Sequence, residues 1–283
     1  MKSSNLYNRI QIGIIGVLLI AICTVYSLQF SFLFAIIWVL CAIEVGQILN
    51  RIHHKKYTPI QVLIWILFSL LLSFILFVSY YSIHDCISSP YTFSIPPILP
   101  ILCLVLLLIL WLFSVSQLFF HVQKKLIFYT GAIYLAIPFT LTILIRFFYG
   151  WEYIALLFLG TWSMDIFSYI FGMTLGKHKI APTLSPKKSW EGFIGGSIGS
   201  MICFLLFFYF LIPHPITVAT WIFSLLLPII SFFGDLFQSK LKRLAQVKDS
   251  GNILQGHGGV WDRFDGLLFY ALGFGFYLLV VFP

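Results

Sequence analysis

Charge is what this chain has least of. Only 9% of its 283 residues are charged, nine acids against 17 lysines and arginines, while 60% are hydrophobic. A soluble domain carries roughly 25% charged residues, so a water-soluble globule is excluded and an integral membrane protein is expected. Cysteine chemistry is also absent. Cys23, Cys41, Cys86, Cys103 and Cys203 are odd in number, form no C-x-x-C pair and mostly lie in apolar runs, which makes them packing residues. No internal repeat and no soluble domain breaks the pattern. A single membrane domain is expected over 1–283, with 1–150 as scaffold and 151–283 carrying the chemistry.

Nine apolar runs are long enough to cross a hydrocarbon layer of ~30 Å: about 10–28, 30–49, 60–80, 97–119, 126–146, 152–174, 192–212, 216–237 and 263–282. The expected fold class is therefore all-α and polytopic, and the segment 81–100, which has no Lys or Arg, reads as an outer loop. Basic residues collect on cytoplasmic loops. With the N-terminus inside, sixteen of the 17 fall on inner segments (those around Arg9, Arg51, Lys124, Lys187 and Lys242), and Arg146 alone lies outside. The expected topology is N-in and C-out, with any active site on the cytoplasmic face. Cations spread over five short loops beside a membrane suit anionic lipid head groups and anionic substrates rather than nucleic acid.

The scarce polar residues gather in the last four runs. Asp235, Ser239, Lys242 and Arg243 stand at i, i+4, i+7 and i+8, which is one stripe of a helix leaving the membrane. A carboxylate in an apolar run needs a partner or a wet cavity, although cations at a helix end also simply snorkel to the interface. Lys248 and Asp249 lead into Gly256-His257-Gly258-Gly259, where successive N–H groups can cradle phosphate oxygens. His257 fits phosphate binding, proton transfer or loop stabilisation equally. Asp262 and Asp265 open the last run on either side of Arg263. They suit a helix N-terminus, and together with Asp235 they suit magnesium, a hard cation that takes carboxylates and substrate phosphate oxygens. The loop 176–191 holds Lys187 and Lys188 just ahead of a helix start that attracts anions, and Asp165 lies upstream with Lys187 or Lys188 as its nearest partner in sequence. Glu44, alone in the second run, fits either a structural hydrogen-bond network or the same cavity.

The segment from Ser239 to Asp265 resembles the signature of the phosphatidate cytidylyltransferase family. Ser239, Lys242, Arg243, Lys248, Asp249, His257, Gly258, Gly259, Asp262, Arg263 and Asp265 fall on its fixed positions, and Gln255 stands where a proline is common. Asp165-x-x-Ser-Tyr-x-x-Gly172 and Ser185-Pro-Lys-Lys-Ser-Trp-Glu-Gly192 are also similar to family segments, so the likeness covers about the last 120 residues. The resemblance implies transfer of cytidylyl from CTP to phosphatidic acid, giving CDP-diacylglycerol and pyrophosphate. It implies magnesium, alone or with a second cation, and allows a homodimer among membrane lipids. On this reading Asp235, Asp262 and Asp265 bind metal. Lys242, Arg243, Lys248 and Arg263 hold phosphates, Ser239 donates to one, and Lys187 and Lys188 draw in an anionic group. Asp165, His257, Gly258 and Gly259 contribute to substrate binding, and Asp249 organises the loop. The alternatives are a cytidylyltransferase for another lipid phosphate and an ion-coupled transporter whose path runs through Glu44, Asp165 and Asp235. Without a visible organelle-targeting extension, a bacterial-type cytoplasmic membrane is the expected location.

Overall fold

The structure, a computed structural model, describes residues 2–53, 59–88, 98–120, 127–254 and 258–282. Lys55, Lys56, Lys124, Lys125 and His257 lie outside the described residues. Each expected span overlaps one of nine α-helices found among the described residues: α1 (Lys2–Val25), α2 (Ser27–His53), α3 (Pro59–Ser88), α4 (Ile98–Phe120), α5 (Ile127–Phe148), α6 (Trp151–Thr174), α7 (Trp190–Leu211), α8 (Val218–Leu244) and α9 (Asp265–Val281). Among the described residues five segments, in α2, α5, α6, α7 and α8, are long and apolar enough to cross a membrane, and α1, α3, α4 and α9 carry shorter apolar stretches. The chain is thus a helical protein of membrane character. The expected outer loop 81–100 is shorter than its composition suggests, because α3 continues to Ser88.

The helical class needs one addition. Between α6 and α7 the chain forms an antiparallel hairpin, β1 (Lys179–Ala181) and β2 (Ser185–Ser189), pairing Lys179 with Ser189 and Ala181 with Ser185. Its turn is Ala181-Pro182-Thr183-Leu184, closed by Leu184 N–H donating to Ala181 O at 3.1 Å. Proline, with φ preset near −65°, stands at the second turn position where it is favoured.

Helix α5 forms the centre of the bundle, flanked by α2, α3, α4 and α9, while α6 pairs with α7 and α8 with α9. The α6–α7 pair is closed by small residues, as membrane helices that lack a hydrophobic drive between them require. A Cβ at Gly192 would stand 2.8 Å from Ser168 O, and one at Gly196 would collide with Ser168 Oγ while lying 3.1 Å from Met164 O. Gly196→Ala is therefore expected to destabilise the fold by about 1–3 kcal/mol through overpacking. Gly46→Ala, with nothing within 4 Å of its new methyl, is expected to be neutral; thermal midpoints in detergent compare the two.

Arg146, which the basic-residue pattern sets apart from the other cations, caps a helix. Its Nε donates to Thr24 O at 2.6 Å and its Nη2 to Val25 O at 2.7 Å, answering the unsatisfied carbonyls at the end of α1. The cysteines with described side chains, Cys23, Cys41 and Cys203, are free thiols.

Candidate active site

The polar residues meet at one end of the bundle, where α6 and α8 finish, α7 and α9 start, and the hairpin lies between. Local chemistry sets each element. Ser189 caps α7 by accepting from Gly192 N–H at 3.2 Å. Glu191 closes the hairpin base, accepting from Lys177 N–H (3.1 Å) and His178 N–H (3.2 Å) and meeting His178 Nδ1 at 2.6 Å. Helices α8 and α9 cross closely at two glycines: a Cβ at Gly234 would stand 2.9 Å from Asp265 O, and one at Gly266 would strike Ser231 Oγ. That crossing sets Asp235 beside the start of α9.

The expected metal trio divides into two groups. Asp165, Asp235 and Asp265 act electrostatically on one another, with Lys188 and Arg263 acting on Asp165 and Lys242 on Asp265. Lys188 Nζ lies 2.5 Å from Asp235 Oδ2 and 4.4 Å from the centre of the Phe232 ring, so the partner assumed for Asp165 belongs chiefly to Asp235. Ser239 Oγ donates to Asp235 Oδ1 at 3.4 Å. Asp235 and Ser239 thus share a face of α8 as expected, and Asp165 of α6, Lys188 of β2 and Asp265 of α9 complete the group.

Asp262 belongs to the second group and is fully engaged. Its Oδ1 meets Lys242 Nζ at 2.7 Å, with the two side chains only 5% and 12% exposed, and its Oδ2 accepts from Ser250 N–H (2.8 Å) and Gly259 N–H (2.9 Å). Burial opposes ionisation, but the Lys242 ammonium and the two N–H donors outweigh it and hold the Asp262 carboxyl below the usual carboxylate range. Because the folded value is the lower one, this stabilisation is present above the ordinary carboxylate range and is lost only as pH falls through the lowered value.

Of the glycine run expected to cradle phosphate, Gln255, Gly256 and His257 lie outside the described residues. Ser250 and Gly259 give their N–H groups to Asp262, and Val260 and Trp261 give theirs to Glu44, so these four donors already hold carboxylates. Gly258 has φ +81°, and a Cβ there would meet Asp262 Oδ2 at 2.7 Å and Asp249 Cβ at 3.2 Å, so glycine is required on both counts. Arg243 braces the site: its Nε donates to Leu184 O at 3.3 Å and its Nη1 to Val247 O at 3.1 Å, tying the hairpin turn to the end of α8. Lys187, Lys248, Asp249 and Arg263 are exposed around this end of the bundle. Among the described residues no three Asp, Glu, His or Cys side chains form a ready-made metal site.

The sequence profile of the cytidylyltransferase family matches residues 7–281. The chain belongs to that family. It is 46% identical over 123 residues to the phosphatidate cytidylyltransferase of Staphylococcus saprophyticus subsp. saprophyticus and 45% identical over the same length to that of Staphylococcus aureus (strain COL). Each match takes in 42% of this chain and 46% of the relative, so the chain spans about half the length of the curated relatives it matches. Two residues of this family member escaped the sequence reading because neither is charged. Ser250 bridges Asp262 and Glu44, and Gln238 donates from Nε2 to Trp261 O at 2.8 Å. Glu44 was visible as a lone charge in an apolar run, and the structure gives it a hydrogen-bond network.

Proposed function

We propose that the protein is a phosphatidate cytidylyltransferase, transferring cytidylyl from CTP to the phosphate of phosphatidic acid and releasing pyrophosphate. One observation carries the reading: three carboxylates and their attendant lysines gather at one end of four helices, in the family whose curated relatives bear that name. In the reaction an oxygen of the lipid phosphate attacks the α-phosphorus of CTP. The new P–O bond forms as the bond from the α-phosphorus to the oxygen bridging towards the β-phosphorus breaks, and pyrophosphate leaves. The nucleophile is already an anion, so no strong general base is required. The protein must position two polyanions and offset their charge.

Lys188 and Lys242 stand on Asp235 and Asp262, within reach of incoming phosphates, while Lys187, Arg243, Lys248 and Arg263 supply exposed positive charge. Ser239 orients Asp235. The donor set is hard oxygen from Asp165, Asp235 and Asp265, whose like charges act on one another and are only partly offset by lysine, which is the chemistry a hard divalent cation takes. Magnesium would be held by Asp235 and Asp265 with Asp165, where it would supply charge neutralisation at the triphosphate; Asp262, the other expected ligand, is instead engaged by Lys242 and two N–H donors. In this reading all nine helices span the membrane, with N-in and C-out topology and the site on the cytoplasmic face of a bacterial-type membrane. Arg146 at the opposite end of α5 fits that arrangement.

The test is a parallel assay of purified protein with CTP, magnesium and either phosphatidic acid or a polyprenyl phosphate. CDP-diacylglycerol formation at least tenfold faster than the polyprenyl product is the expected result. The reverse preference would reassign the lipid, and no CDP-lipid from folded protein would remove the reading.

A further inference from the structure

Glu44 has no place in the signature and lies about two hundred residues from it, yet it is 1% exposed and its carboxylate is bonded to the signature loop. Its Oε2 accepts from Ser250 Oγ at 2.6 Å and from Trp261 N–H at 2.9 Å, and its Oε1 accepts from Val260 N–H at 2.9 Å. A carboxylate in an apolar helix is stable only with such donors. The loop is shaped to receive it: a Cβ at Gly251 would stand 2.6 Å from Glu44 Oε1, and one at Gly259 would collide with both Glu44 Oε2 and Ser250 Oγ.

We infer that Glu44 is a positioning residue for the site, acting through Ser250 and the turn Gly259–Trp261 to fix Asp262 and Lys242. The connection is continuous. Glu44 holds the Ser250 hydroxyl, Ser250 N–H and Gly259 N–H hold Asp262 Oδ2, and Asp262 Oδ1 holds Lys242. Gln238 fixes the far side of the same turn through Trp261 O. The loop is therefore gripped between two carboxylates, one from α2 and one from its own end. The first half of the chain thereby contributes to the site, which composition alone did not suggest.

The kinetic part of this inference rests on the proposed cytidylyl transfer, and the test separates the two. Glu44→Gln keeps the shape but turns one oxygen into a donor that faces donors. Gly259→Ala perturbs the same contact from the loop side and leaves Glu44 in place. For folded protein, isolated as a monodisperse peak, each variant is expected to lower kcat about 10–100-fold, the usual cost of losing a supporting contact behind a reactive group. KM for CTP should change far less. Hydrogen exchange should show faster amide exchange at Ser250, Gly259, Val260 and Trp261, with the helices unchanged. Folded Glu44→Gln protein with full kcat would overturn the inference even if its thermal midpoint fell, since that pattern is purely structural. If the intact protein makes no CDP-lipid, the proposed reaction fails, and exchange alone then decides: unchanged protection at these four amides overturns the clamp, and local loss supports it.

Discussion

Asp235→Asn is expected to lower kcat by about 10²–10³-fold while the protein stays folded, the size of loss seen when one preorganised electrostatic contact is removed. Asparagine is nearly isosteric, and the Ser239 contact at 3.4 Å survives as a hydrogen bond to an amide oxygen. The charge that holds Lys188 at 2.5 Å disappears, and with it one of three carboxylates in the group formed with Asp165 and Asp265. Because Asp235 is only half-buried and sits near the open end of α8, stability should change little. Initial rates with saturating CTP measure the effect, and retention within threefold of the intact rate would take Asp235 out of the reaction.

Lys242→Met should act in both stability and rate. It keeps the aliphatic stem and removes the ammonium from a carboxylate whose side chain is 5% exposed. Removing one partner of a buried pair costs about 3–5 kcal/mol; the surviving N–H donors from Ser250 and Gly259 place the expected loss near about 3 kcal/mol. Adding Asp262→Asn removes the stranded charge, so the double variant should regain part of the stability and none of the activity. A double-mutant cycle on thermal midpoint and kcat reads both. Full recovery of kcat in the double variant would show that the pair serves stability alone.

Much of this architecture is legible in the sequence because the lipid environment enforces it. Backbone groups in hydrocarbon must be satisfied within the chain, so apolar runs become helices, and the i, i+4, i+7, i+8 stripe on α8 is where it was expected. The lone exception to the basic-loop pattern, Arg146, has a local reason in its bonds to Thr24 O and Val25 O. What the sequence conceals is pairing. The N–H groups of Ser250, Gly259, Val260 and Trp261 read as free donors in the sequence, but they are given to Asp262 and Glu44. Asp165, Asp235 and Asp262 look interchangeable as isolated acids, and only helix packing shows that the first two share a site while the third is locked to Lys242. The hairpin was concealed for another reason. Five residues of Ser-Pro-Lys-Lys-Ser have no alternation of apolar and polar side chains, and the Pro182 turn signal stands in a loop already explained by its charge.

The most direct measurement follows the phosphorus. Purified protein with phosphatidic acid and magnesium receives CTP labelled at the α-phosphorus in one reaction and at the γ-phosphorus in another, and the lipid phase is counted. Cytidylyl transfer predicts α-label in the lipid and γ-label in pyrophosphate, with both signals lost in Asp235→Asn. Label reaching the lipid from the γ-position would mean phosphoryl transfer, and no lipid label from either position would contradict the account.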